Sequence, residues 1–219
     1  TYALMKINLL NQLYQQTDEE YFYQEAISWI DKLSKGEPYS RQLIEEEYSI
    51  YLFNNDLENA ANVISNALNY FPWDTSLYER IIKHYFDLGM QAYEHGDFER
   101  SKKYWNIVIE TYENAIQKKE QTEANYELYR TRWRFNKTSN IALILAKIHF
   151  IEGNYEKASS ILEDKIPKDL SSKKSRIILR WYLAALQMQG INEHEILETF
   201  LEMFPKEKQR IQEIIDNYT

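Results

Sequence analysis

The histidines and carboxylates are the residues of this sequence that could do acid–base or metal chemistry. The four histidines, His84, His95, His149 and His194, are scattered, and no two are four positions apart on one helical face. The segment that begins His194-Glu195 lacks the second histidine of a zinc-protease motif. The sequence has no cysteine, no phosphate-binding glycine loop and no Gly-x-Ser-x-Gly nucleophile turn. We therefore predict that this chain is not itself an enzyme, has no catalytic residue and needs no metal or cofactor.

The charge balance argues against nucleic acid as a partner. The chain has 34 Asp and Glu against 26 Lys and Arg, which gives a net charge of −8. A phosphate backbone is bound by basic surface, which this chain lacks overall. Acidic runs such as residues 45–47 are typical of solvated helix faces.

No segment of the sequence is predicted to span a membrane. The longest apolar runs, residues 141–146 and 181–186, are far shorter than the roughly 20 residues of a membrane helix. The chain begins at Thr1, and its first methionine, Met5, already lies inside an apolar helical pattern. We expect it to be a piece of a longer protein.

A repeated pattern indicates the elements that position these residues. Five glycines and four prolines in 219 residues leave few turns and favour long helices. Ala26 and Ala60 are 34 residues apart, as are Pro38 and Pro72. This is the tetratricopeptide period, which accommodates two antiparallel helices and two turns. Two later copies place Ser101 and Ala158 at the same small position, with wider spacing.

The fold prediction is an all-α, right-handed superhelical array of about four tetratricopeptide-like helical hairpins with C-terminal capping helices. It forms one domain over residues 1–219, with an irregular insertion at about 119–137 and longer helices in the third hairpin. We expect Gly89 to let paired helices approach beside Trp105. Four helix starts are assigned to capping side chains at Ser76, Asp97, Asn154 and Asn192. The predicted helices span residues 2–16, 20–34, 39–53, 57–70, 76–95, 98–118, 123–134, 138–151, 155–165, 172–189, 193–203 and 206–217.

The exposed stripe of the first helix of each hairpin is the predicted ligand surface, because these helices line the concave side of a solenoid. Its mixed charges differ from the basic clamp that captures C-terminal carboxylates, so we expect a protein or peptide segment of another kind. By register, the concave-face residues are Gln42, Glu45, Ser49, Lys83, Phe86, Met90, Tyr93, Asn140, Leu143 and Lys147.

The aromatic residues leave an alternative open. The chain has 18 Tyr, nine Phe and five Trp. Most are assigned to core packing, but exposed ones could stack on sugar rings, which would make the chain a glycan-presenting module. Residues 118–136 interleave basic and aromatic side chains, which suits either an anion or partner contact or Arg stems that cover an apolar seam.

Several segments resemble one family over nearly the whole chain: Leu13 to Asp18, Glu25 to Ile27, Asn69 to Asp74, Leu128 to Trp133, Gly153 to Ala158 and Trp181 to Gly190. Together they are similar to the soluble C-terminal tetratricopeptide-repeat domain of bacterial O-antigen ligase or polymerase-like membrane proteins. Two features depart from that family: Leu145-Ala146 replaces its Leu-Gly pair, and its Pro-rich segment after Trp133 is missing.

The resemblance implies that glycan transfer belongs to a multi-span membrane part, which we expect before Thr1. The chain would then be membrane-associated through its parent protein and would act in polysaccharide biosynthesis. A free-standing cytoplasmic tetratricopeptide adaptor or peptide sensor is the alternative. A sensor would need a DNA-binding or phosphatase segment, which residues 1–24 do not provide.

Overall fold

The computed structural model describes residues 2–36, 40–125, 139–166, 169, 172–191 and 195–219. Over these residues the chain forms eleven α-helices and no strand, which confirms the all-α prediction. The helices are α1 (Tyr2–Thr17), α2 (Glu20–Ser34), α3 (Arg41–Phe53), α4 (Leu57–Ala67), α5 (Thr75–Glu94), α6 (Phe98–Asn125), α7 (Ser139–Ile151), α8 (Tyr155–Glu163), α9 (Lys173–Met188), α10 (Glu195–Met203) and α11 (Glu207–Tyr218).

The chain divides into two compact units, residues 1–133 and 134–219. In the first unit, α1 packs on α2, α3 on α4, and α5 on α6. In the second, α8 packs on both α7 and α9, and α11 packs on α9. The prediction of one continuous domain over residues 1–219 stays a prediction.

A left-handed residue follows α1, α3, α5, α7 and α9. Asp18, Asn55, Gly96, Gly153 and Gly190 have φ values between 55° and 79°. After the last four of these, the next amide donates to the carbonyl five positions earlier at 2.7–2.9 Å, which is the Schellman closure of a helix end. A left-handed turn therefore recurs at the end of every second helix in both units.

The small residues of the sequence repeat lie in the helix contacts. Ala26, Ala60 and Ser101 are 0% exposed in the first unit, and Ala158 is 1% exposed in the second. A methyl or hydroxymethyl group at these positions lets neighbouring helices approach without a cavity. Their predicted packing role is confirmed.

Gly89 serves the same purpose in the third hairpin. A Cβ added to Gly89 would lie 2.3 Å from Nε1 of Trp105, so the indole occupies the space that a side chain would need. The hairpin also has the longer helices that its spacing predicts, 20 residues in α5 and 28 in α6.

The cap predictions are partly wrong. The N-cap of α5 is Asp74 and not Ser76, because the Asp74 carboxylate accepts a hydrogen bond from the Ser76 amide at 2.9 Å. Asp97 accepts the Arg100 amide at 3.1 Å, as predicted. Asn154 precedes α8 but makes no side-chain cap bond. Asn192 lies outside the described residues.

The start of the predicted insertion is also corrected. Residues 119–125 continue α6 without a break, since the segment has no Gly or Pro and is composed mainly of good helix formers. The remainder of the expected insertion, residues 126–137, lies outside the described residues.

Candidate binding surface

The helices α1 and α3 lie side by side in the first unit and run in the same direction. The amides of Asn8 and Asn11 each donate to the Glu46 carboxylate at 2.8 Å. Further along both helices, the Tyr14 hydroxyl donates to Oδ1 of Asn54 at 2.7 Å. The contacts join residues 35 to 40 positions apart, close to the sequence repeat.

The helices α3 and α5 are joined in the same way. Arg80 Nη1 lies 2.6 Å from Oε2 of Glu45, and Arg41 Nη1 lies 2.9 Å from Oδ2 of Asp74 at the start of α5. Arg41 also pairs with Glu45 within α3, at 2.9 Å. Side-chain exposures of 31–36% leave this network half solvated.

A neutral polar pair continues the contact between α3 and α5. The Tyr48 hydroxyl is hydrogen bonded to Nε2 of His84, which is 8% exposed. Burial, followed by the charges of Lys83 and Arg80, lowers the pKa of His84. Burial raises the pKa of Tyr48, and the Arg80 guanidinium lies 5.2 Å from its ring centre. Both side chains are therefore uncharged at neutral pH.

The structure places the predicted concave-face residues of the first unit at different depths. Gln42 and Lys83 are exposed. Glu45 is half-buried in the ion pairs above, and Phe86 is only 9% exposed, so its predicted exposure is wrong. Phe86 follows the buried Tyr85 on α5, because the buried face of this helix is wider than one stripe. The half-buried members are Glu45, Ser49, Met90 and Tyr93.

The predicted residues of α7 belong to the second unit. Asn140 is exposed, and Leu143 packs against the buried cluster of this unit. The Lys147 ammonium lies 5.1 Å from the ring centre of Trp181, which is on α9. The lysine therefore bridges α7 and α9 rather than projecting freely.

Sequence reasoning missed the side-chain contacts that join α3 to α5. Arg41, Arg80, Tyr48 and His84 form the contacts between α3 and α5, yet only their spacing could have shown this. Glu45 and Arg80 are 35 positions apart, and Tyr48 and His84 are 36. Pairs of residues that can form an ion pair or a hydrogen bond, separated by about one repeat, are the sequence signal that the first helices of neighbouring hairpins are in contact.

Two exposed aromatic side chains lie in the segment just before Asp74, the partner of Arg41. Trp73 is 53% exposed and Tyr70 is 43% exposed, in the connection between α4 and α5. The Lys118 ammonium of α6 lies 5.2 Å from the Trp73 ring centre. A half-exposed indole with an adjacent cation is a surface on which a sugar ring could stack.

Neither a metal cluster nor a membrane span is found in the part of the chain that the structure describes. No group of three or more His, Asp or Glu side chains there is placed to hold a metal ion. No helix there is both long and apolar enough to cross a bilayer. No model of a known protein family matches the chain, and no curated protein matches it.

Proposed function

We propose that this chain is a non-catalytic helical-repeat module that binds a protein or peptide segment through its concave face, the exposed stripe of its first helices. The hairpins would stack as a right-handed, tetratricopeptide-like superhelix. The recurrent turn and the buried small residues support this arrangement, since both come back at each hairpin.

The ladder formed by α1, α3 and α5 is the observation that carries the proposal. Side chains 35 to 38 positions apart join each of these helices to the next. Three parallel helices in lateral contact present one continuous surface, on which Gln42 and Lys83 are exposed. Mixed charge and half-solvated ion pairs suit a peptide that carries charges of both signs.

A peptide selection with matched charge variants tests the proposal. A displayed library of random 12-residue peptides is selected on the wild-type chain, and one binder is labelled for fluorescence anisotropy. We expect a dissociation constant of about 1 μM, around −8 kcal/mol. Lys83→Glu should weaken binding at least tenfold, whereas Lys103→Glu, the same exchange on the exposed side of α6, should leave it within twofold.

Two results would contradict peptide binding at this surface. The first is a library that yields no binder. The second is a set of binders that respond equally to Lys83→Glu and Lys103→Glu, which would place the contact elsewhere.

Glycan binding is the second candidate, and exposed Trp73 favours it. If the chain presents glycan, an oligosaccharide should change tryptophan fluorescence, and Trp73→Ala should abolish the change. Trp29→Ala is the control, because Trp29 is half-buried and stacked with Lys6 and Lys32 in the first hairpin. An oligosaccharide response together with an empty peptide selection would favour glycan over peptide.

The membrane parent remains part of the proposal. On the resemblance of the sequence, the chain is the C-terminal domain of a polysaccharide ligase or polymerase-like protein of the O-antigen type. The complete reading frame tests this directly. A run of about 20 apolar residues upstream would support it, and an upstream region without one would favour a free-standing tetratricopeptide adaptor.

A further inference from the structure

The helix α1 is apolar on two faces, and the helices of the first unit that the structure describes cover one of them. Leu4, Ile7, Leu10 and Tyr14 face α2 and α3 in the core of the first unit. On the other face, Tyr2, Met5 and Leu9 are 79%, 73% and 55% exposed. Their spacing of three and four residues places them in one stripe along the helix. Helices that are apolar on two faces are usually covered on both.

The exposed stripe is also uncharged. Lys6 is the one charged residue in the 16 residues of α1. Its ammonium lies 3.2 Å from the Glu25 carboxylate and 4.4 Å from the ring centre of Trp29, so it is directed toward α2. In a chain in which 27% of the residues are charged, this stripe leaves the first half of α1 with an exposed surface that has no charge of its own.

The contacts among α1, α3 and α5 indicate what this stripe can receive, when positions are counted back from the left-handed residue after each helix. Glu46, nine positions before the left-handed Asn55, accepts the amides of the preceding helix α1. Arg80, sixteen positions before the left-handed Gly96, pairs with the preceding helix α3. Position nine is thus a contact of α3 with α1, and position sixteen is a contact of α5 with α3, beside which His84 at position twelve also bonds Tyr48.

The same two positions of α1 belong to the exposed stripe. Counted back from the left-handed Asp18, position nine is Leu9 and position sixteen is Tyr2, with Met5 between them. The stripe therefore continues the interface that joins the first helices, on a side of α1 where Tyr2, Met5 and Leu9 stay exposed among the residues of the first unit that the structure describes.

We infer that the stripe formed by Tyr2, Met5 and Leu9 receives an amphipathic helix with an apolar, uncharged contact face, lying alongside α1 as α1 lies alongside α3. The apolar character of the partner helix follows from the residues that α1 has where α3 and α5 have charged ones. Where α3 and α5 use Glu46 and Arg80 to receive polar groups, α1 offers Leu9 and Tyr2. A charged contact face would lose its hydration against them without gaining a partner.

A model helix tests this inference. The probe is an 18-residue peptide with Leu and Ala on its contact stripe, equal numbers of Glu and Lys on its other faces, and a fluorescein label. A matched peptide replaces the contact Leu residues with Glu. We expect the first peptide to give saturable anisotropy with the wild-type chain and the second to give none.

Variants of the chain locate the contact. Leu9→Glu and Met5→Glu should each weaken the peptide at least tenfold, because they put an unpaired charge into the apolar contact. Both side chains are more than half exposed, so the substitutions should leave the far-ultraviolet circular dichroism unchanged. Gln15→Glu adds the same charge to an exposed position about 120° around α1 from Leu9, and binding should stay within twofold of wild type.

The inference is overturned if the apolar peptide shows no saturable binding, or if Leu9→Glu binds it as well as Gln15→Glu. Sedimentation velocity tests whether a second copy of this chain covers the stripe instead. A wild-type dimer that Leu9→Glu abolishes would show that a second copy covers the stripe, which also overturns the inference. Lys83→Glu should leave this peptide unaffected, so failure here is distinguishable from failure of the peptide surface on α3 and α5.

Discussion

Two helix contacts in this chain use the same ion-pair chemistry at very different depths. Between α3 and α5, Arg80 lies 2.6 Å from Glu45, and both side chains are about one third exposed. Between α9 and α11, Arg180 Nη2 lies 2.9 Å from Glu207. Glu207 is 4% exposed and Arg180 14%. Arg180 binds Glu207 through both Nε and Nη2, whereas Arg80 binds Glu45 through Nη1, so the two contacts differ in burial and in the number of bonds.

The difference in burial decides which of these charges a ligand can compete for. Water already shares the Glu45 network, and removing one partner leaves the other solvated. For Glu207, burial raises the carboxyl pKa, but hydrogen bonds and charges from Arg180 and Arg210 outweigh this and lower it. Glu207 is therefore a structural anion, whereas Glu45 stays available at the candidate binding surface.

The largest effect is expected at Glu207. Glu207→Ala would leave the Arg180 guanidinium buried without a carboxylate, at a cost of about 3–5 kcal/mol in the free energy of unfolding. Urea denaturation followed by circular dichroism measures it. Glu213→Ala, at an exposed position of the same helix, should change that free energy by less than about 0.5 kcal/mol. Equal small losses from both variants would remove the contrast between the two contacts.

The stability of the first unit is expected to depend on close packing between α5 and α6. Gly89→Ala would place Cβ 2.3 Å from the indole of Trp105, a buried side chain that is 3% exposed, so the indole or a helix would have to shift. Overpacking costs about 1–3 kcal/mol, and the gain in helix propensity returns about 1 kcal/mol. We expect a net loss of stability, measured by thermal unfolding.

Gly36→Ala is the matched control for that test. The nearest heavy atom to a Cβ at Gly36 would be the Leu33 carbonyl oxygen at 3.7 Å, an ordinary contact. This variant should be neutral or slightly stabilising. If Gly89→Ala is equally well tolerated, the contact between α5 and α6 is looser than the structure indicates.

The fold was largely readable from the sequence because its signals are local and periodic. Helix-spaced apolar residues, with few Gly and Pro, predicted most helices to within three residues. Ala26, Ala60 and Ala158 were recognisable because only small residues fit between crossing helices. The turns at Asp18 and Asn55 were harder to place, since a left-handed conformation at a non-glycine residue leaves no distinctive residue type.

The candidate surface was less predictable because it depends on contacts between helices. Sequence register placed Phe86 and Glu45 on one exposed stripe, yet Phe86 is buried and Glu45 pairs with Arg80. The apolar face of residues 2–14 was expected to lie at an open end of the array, but the sequence did not single out Tyr2, Met5 and Leu9 as its exposed members. An apolar stripe on α1 looks the same in sequence whether another helix covers it or not.

Acid should weaken the contact between α3 and α5 through His84. Its pKa is lowered in the folded chain, so below about pH 6.5 the unfolded chain binds more protons and the free energy of unfolding falls. The stability of wild type and His84→Gln is compared from pH 7.5 to pH 5.5. We expect wild type to lose more stability over this range. Parallel profiles would show that His84 does not contribute.

The smallest effect is expected at Glu45, where the comparison with Glu207 is sharpest. Because both partners keep water, Glu45→Gln and Arg80→Gln should each cost less than about 1 kcal/mol. The coupling energy from a double-mutant cycle should be about 0.2–1 kcal/mol and should fall in high salt. Urea denaturation of the four chains measures it. A coupling of several kcal/mol would mean that Glu45 is as structural as Glu207, and a peptide could not displace Arg80 from it.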